Sequence, residues 1–165
     1  MATKEIEIAK GLSAPLSIED IDFRVARSKK LGNGKLMVSL LAYKNARVDM
    51  KRLDEVCGIF GWERQHKELK GVIYCGITIN GVTKWDAGTE SYAEAQKGEA
   101  SDSFKRAGFN WGIGRELYDY PDIVFYLPPE LQYNDKPAFK ISDVTWKLEL
   151  NTEGKVLSLT SKLHH

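Results

Sequence analysis

Long apolar runs, cysteines and prolines are scarce in this chain, and each scarcity excludes something. No apolar run approaches the ~20 residues a membrane-spanning helix needs. The opening residues, MATKEIEIAK, lack the basic-then-apolar pattern of a secretory leader, so none is expected. Only two cysteines occur, Cys57 and Cys75, both in apolar segments, which rules out a disulfide scaffold and fits a reducing compartment. With His66 between them they form C-x8-H-x8-C, which matches no usual zinc spacing, so no metal site is expected and both read as small buried hydrophobes. Gly32-Asn33-Gly34-Lys35 is a turn signal, but GxxxxGK[ST] is absent and a phosphate-binding P-loop is excluded. The net charge of +1 excludes a polycation. There is no internal repeat and no low-complexity segment.

Charge is nevertheless unevenly placed. From Arg24 to Arg52 there are nine Lys or Arg and one acid, whereas from Glu116 to Glu153 there are eight acids and three lysines. Such asymmetry suits an anionic partner at one end of the molecule, or contact between subunits, basic face against acidic face.

At 165 residues a single domain with a real core is expected. Residues 1–15 read as a loosely held start. Asp22 to Lys30 ends in a basic cluster, and Leu36 to Tyr43 reads as a buried strand. Asn45 is placed to cap a helix running to about Phe60, with Met50, Leu53, Cys57 and Phe60 as its apolar face. Strands are expected at Trp62–Leu69, Val72–Ile79 and Val82–Ala87, with Asn80-Gly81 a strong hairpin signal. A short strand falls between the prolines of DYPDIVFYLPPE, and Asp143–Leu150 with Val156–Thr160 reads as a hairpin. The class is α+β: an antiparallel three-stranded meander followed by a core helix, preceded by a strand and a helix, with a C-terminal hairpin.

The chain is organised around Tyr92–Arg115, a helix with Ala93, Ala100, Phe104 and Ala107 on one narrow stripe and Gly108 as its expected terminator. Three alanines on that stripe require another element to approach closely. Lys97, Lys105 and Arg106 lie off the stripe, as solvated charges or as cations offered to phosphate. Asp86, Glu90 and Glu94 cluster before this helix, the ingredients of a magnesium-dependent nuclease, yet without a recognisable ligand pattern.

Tyr43–Arg47, Arg52–Val56, Gly61-Trp62, Lys97–Asp102 and Phe104–Ala107, in that order around the meander, resemble the Rad-fifty-two superfamily of single-strand annealing proteins, most closely its phage Sak-like branch. The resemblance covers residues 20–118 as an annealing core. Residues 119–162 would be a strand-rich extension packed on the core or on a neighbouring subunit, and 163–165 a tag remnant. It implies an ATP-independent annealing protein of homologous recombination and DNA repair, with no catalytic residue and no cofactor. It also implies a homo-oligomeric ring or helical arc that holds the backbone of single-stranded DNA in a basic groove with bases exposed. A phage exonuclease or a host single-strand-binding protein is an implied partner, and the cytoplasm of a phage-infected bacterium the implied location.

Residue by residue, the resemblance carries DNA contact onto Lys105 and Arg106, onto Arg24 or Arg27 ahead of the first long strand, and onto Lys97. Lys29, Lys30, Lys70, Lys84 and Phe109 are further candidates, and Trp111 and Phe109 are the nearest aromatics for base stacking. Phe109 stands where the eukaryotic members carry another arginine. The alternative is an oligomeric scaffold or protein-interaction module of the same fold without annealing activity.

Overall fold

The computed structural model describes residues 3–88, 95–120, 123–152 and 156–163. In chain order the elements are α1 (Thr3–Ser13), β1 (Asp22–Lys30), β2 (Leu36–Tyr43), α2 (Ala46–Cys57), β3 (Trp62–Leu69), β4 (Val72–Ile79), β5 (Val82–Ala87), α3 (Ala95–Asn110), β6 (Ile123–Leu127), β7 (Gln132–Tyr133), β8 (Lys136–Pro137), β9 (Val144–Leu150) and β10 (Val156–Leu163). The class is α+β, with β3-β4-β5 an antiparallel meander followed by α3 and with a C-terminal β9–β10 hairpin. Among the described residues no helix is long and apolar enough to cross a membrane. The chain divides into two compact units, Met1–Leu16 with Lys44–Arg115, and Ser17–Tyr43 with Glu116–His165.

In the first unit the meander forms at the expected residues because both of its turns are supplied. Asn80 and Gly81 take φ of 51° and 78°, and Lys70 and Gly71 take 53° and 79°, the left-handed pairs that match the twist of two-residue hairpins. Cys75, Ile77 and Ile79 alternate onto one face of β4, where Phe104 and Ala107 of α3 close the core with Leu12, Leu53 and Ile113.

Three expectations for this unit are corrected. The start of the chain is a helix rather than a loose lead-in: Leu12 is fully buried, and the Arg52 guanidinium donates to the carbonyls of Gly11, Leu12 and Ala14 at 3.1, 3.1 and 2.6 Å. A cation thus satisfies the carbonyls left over at the end of α1. Asn45 does cap α2, accepting from Arg47 N at 2.9 Å, but the helix stops at Cys57 and its inward face is Val48, Asp49 and Leu53. Gly58, at φ 77°, turns the chain away before Ile59 and Phe60, which are 70% and 97% exposed. Finally, Gly108 does not terminate α3, which runs on to Asn110.

In the second unit β2 lies between β1 and β6, antiparallel to both. Leu36, Val38 and Leu40 alternate onto the inner face, and Leu127, Phe125, Phe139 and Trp146 pack with them. Trp146 of β9 stacks on Phe23 of β1 at 3.9 Å between ring centroids, so the C-terminal hairpin helps close this core.

Candidate nucleic-acid interface

The outer face of β1-β2-β6 depends on one irregularity. Arg24 and Arg27 are three apart, and on a regular strand, where side chains alternate, they would point to opposite faces. The register shifts between Val25 and Arg27: Val25 pairs with Leu40 and Arg27 with Ser39, leaving Ala26 as the extra residue of a bulge. Beyond the bulge the parity is reset. Arg24, Arg27 and Lys29 oppose Leu41, Ser39 and Met37, all on the face away from buried Leu36, Val38 and Leu40. The three cations are exposed and form one column. The Arg24 guanidinium sits 5.5 Å from the centroid of the Tyr43 ring, the stabilising geometry of a cation over an aromatic face.

Lys30 goes elsewhere. It pairs with inward Leu36, donates to Gln132 Oε1 at 2.6 Å and lies 3.6 Å from Asp135, which ties β1 to the β7–β8 turn.

In the first unit Lys105 and Arg106 are neighbours on α3, Lys105 half-buried and Arg106 exposed. Arg106 Nε donates to Asp102 Oδ2 at 3.0 Å, one helical turn back, which orients the guanidinium at little energetic gain. Beneath them lies a group that the sequence pattern does not reveal. Lys44 and Asp49 form an ion pair with both side chains buried. The Lys44 ammonium also donates to the main-chain oxygen of Lys105 at 3.2 Å and sits 3.9 Å from the centroid of the Phe109 ring. Burial raises the Asp49 carboxyl to about 6, outweighing the lowering by nearby Lys44 and Lys105. The start of α2 is thereby fastened to the stretch of α3 that carries Lys105 and Arg106.

The remaining candidates are dispersed. Lys97 is on α3, but its side chain lies outside the described residues. Lys70 is exposed at the β3–β4 turn. Lys84 on β5 lies 4.8 Å from the Trp111 ring centroid. Trp111 donates its Nε1–H to Ile77 O at 2.9 Å, and Phe109 covers Lys44, so both aromatics near α3 are engaged in packing. Aromatic surface on the second unit's outer face comes instead from Tyr126, opposite Met37 and 59% exposed. Its signal in the sequence is the short strand Ile123–Leu127 itself, whose period of two turns every second residue outward.

Among the described residues no group of three His, Cys, Asp or Glu is placed to hold a metal ion. Asp86 accepts from Ala87 N and Asn110 Nδ2 at 2.7 and 3.2 Å, while Glu90 and Glu94 lie outside the described residues.

Residues 69–124, spanning β4, β5, α3 and the start of β6, match the family described as Rad52/22 family double-strand break repair protein. The chain is 32% identical over 121 residues to the single-stranded DNA-binding protein DdrA of Deinococcus radiodurans, covering 70% of this chain and 56% of that protein. It is 31% identical over 121 residues to the protein of the same name from Deinococcus deserti, covering 70% and 58%. The chain therefore spans little more than half the length of these curated relatives. The match over residues 69–124 is to the expected superfamily, whereas these bacterial relatives do not single out its phage branch.

Proposed function

We propose that this chain, whose residues 69–124 are those of the Rad52/22 family, binds single-stranded DNA and anneals complementary strands in DNA repair and recombination, without ATP and as an oligomer. The observation that carries the reading is the bulge at Ala26, which gathers Arg24, Arg27 and Lys29 into one exposed column. Cations in a row contact phosphates whatever the base sequence, which is what an annealing protein requires. Lys105 and Arg106 on α3 would add a second pair of phosphate contacts. The two relatives are named for single-stranded DNA binding, in keeping with this reading.

Assembly into a ring or arc would repeat these few cations along a strand, so that a protein of net charge +1 binds firmly. Exposed Ile59 and Phe60, adjacent at the tip between α2 and β3, favour self-association. They also support the rival reading, a scaffold of the same fold that assembles without annealing.

The test is binding and annealing of labelled complementary oligonucleotides without ATP or metal, across a salt series, with particle mass followed by light scattering. Wild type should anneal. Arg24→Ala/Arg27→Ala and Lys105→Ala/Arg106→Ala should each stay assembled and bind more weakly, with the log–log salt slope falling by about 0.7 for each phosphate no longer neutralised. An assembled wild type that neither binds nor anneals would leave the scaffold reading.

A further inference from the structure

The outer face of the second unit holds more than cations. Two rows cross the sheet from β1 through β2 to β6: Lys29–Met37–Tyr126 and Arg27–Ser39–Val124. Beside them Leu41 is 49% exposed, opposite Arg24. Neighbouring strands are ~4.8 Å apart, so the cation column lies about 10 Å from the Tyr126 column, with a low apolar floor between. Asp22, at the end of β1 opposite Tyr43, is the acid on this face among the described residues.

We infer that Tyr126 is a base-stacking platform, which takes a base of the strand whose phosphates lie along Arg24, Arg27 and Lys29. This rests on the single-stranded DNA reading and deepens it. A phosphodiester chain held on β1 directs its bases either away from the sheet or across β2. On β2 they meet side chains that cost little to desolvate, Met37 and Ser39, and on β6 Val124 and an exposed phenol ring. Every base has a π face, so such a contact adds affinity without selecting sequence. An exposed aromatic on a face that carries Arg24, Arg27 and Lys29 against, among the described residues, the single acid Asp22 is matched in charge to a polyanion and poorly matched to a basic protein partner.

The test compares a short dT oligonucleotide with an abasic oligonucleotide of the same phosphate count, by competition against a labelled strand. Wild type should prefer dT about five-fold or more, the low end of a single base stack. Tyr126→Phe should keep the preference. Tyr126→Ala should bind both oligonucleotides equally while retaining the wild-type salt slope, since the phosphate contacts are untouched. If wild type binds both alike, or if Tyr126→Ala keeps the preference, the stacking role is overturned and the DNA reading survives. If Tyr126→Ala changes only the particle mass, the face is a subunit contact and the stacking role again falls. If wild type binds neither oligonucleotide, the DNA reading itself fails and takes this inference with it.

Discussion

Asp49 Oδ1 occupies the space that a Cβ on residue 108 would need; such a Cβ would also lie 3.0 Å from Asp49 Cγ and 3.1 Å from Lys44 Nζ. The glycine in the last turns of α3 is therefore a notch for the buried ion pair. In an ordinary helix interior Gly→Ala stabilises by about 1 kcal/mol. Here the methyl would push apart two buried charges, and overpacking of this kind costs about 1–3 kcal/mol. Gly108→Ala should lower stability by about 2 kcal/mol, read from the urea midpoint at constant m-value. A stabilised variant would show that the notch is not needed.

Removing one partner of the pair should be worse than removing both charges. Lys44→Met leaves the Asp49 carboxyl buried opposite a thioether, without the ammonium that bonds it and favours its charged form, and breaking a buried pair in this way typically costs about 3–5 kcal/mol. In the Lys44→Met/Asp49→Asn double variant no buried charge remains, so much of that stability should return. Urea titrations of the three proteins at neutral pH give the comparison. A double variant no more stable than Lys44→Met would mean that packing, not charge, dominates at this spot.

The same carboxyl gives a pH dependence of definite sign. Its folded value of about 6 stands above the ordinary 3.8, so the folded chain holds this proton where the unfolded chain has released it. The contribution of Asp49 is fully present below about pH 4 and is lost as pH rises through about 6. Over that window the urea midpoint of wild type should fall relative to that of Asp49→Asn. Parallel curves for the two proteins from pH 4 to 7 would contradict the raised value.

What was legible in the sequence was what local chemistry decides. The meander was readable to its end residues because Asn80-Gly81 fixes one turn and period-two alternation fixes the faces. The Asn45 cap was readable for the same reason. What escaped was decided by partners distant in sequence. Lys44 follows an apolar strand, and nothing local says that Asp49 and the Phe109 ring enclose it. Gly108 reads as a terminator because a glycine near a helix end usually is one, whereas its role is set by a residue on α2. Arg52 caps α1, a role set by carbonyls far from it in sequence. At the candidate site the arginines were readable as charges. Their common face was not, because spacing alone puts Arg24 and Arg27 on opposite sides, and only the register against β2 reveals the bulge.

The position of β2 between β1 and β6 has a consequence for the chain as it leaves the ribosome. The β1–β2 hairpin can close as soon as Tyr43 emerges, but the other edge of β2 pairs with residues Ile123–Leu127, which follow only after all of Lys44–Arg115 has been made. At roughly 5–20 residues per second, that interval lasts several seconds. Throughout it the nascent hairpin presents a bare row of amides and carbonyls beside Leu36, Val38 and Leu40, the kind of edge that recruits strands from other chains. On a polysome, neighbouring nascent chains hold the same hairpin with the same vacant edge, so the period of greatest aggregation risk falls before synthesis is complete.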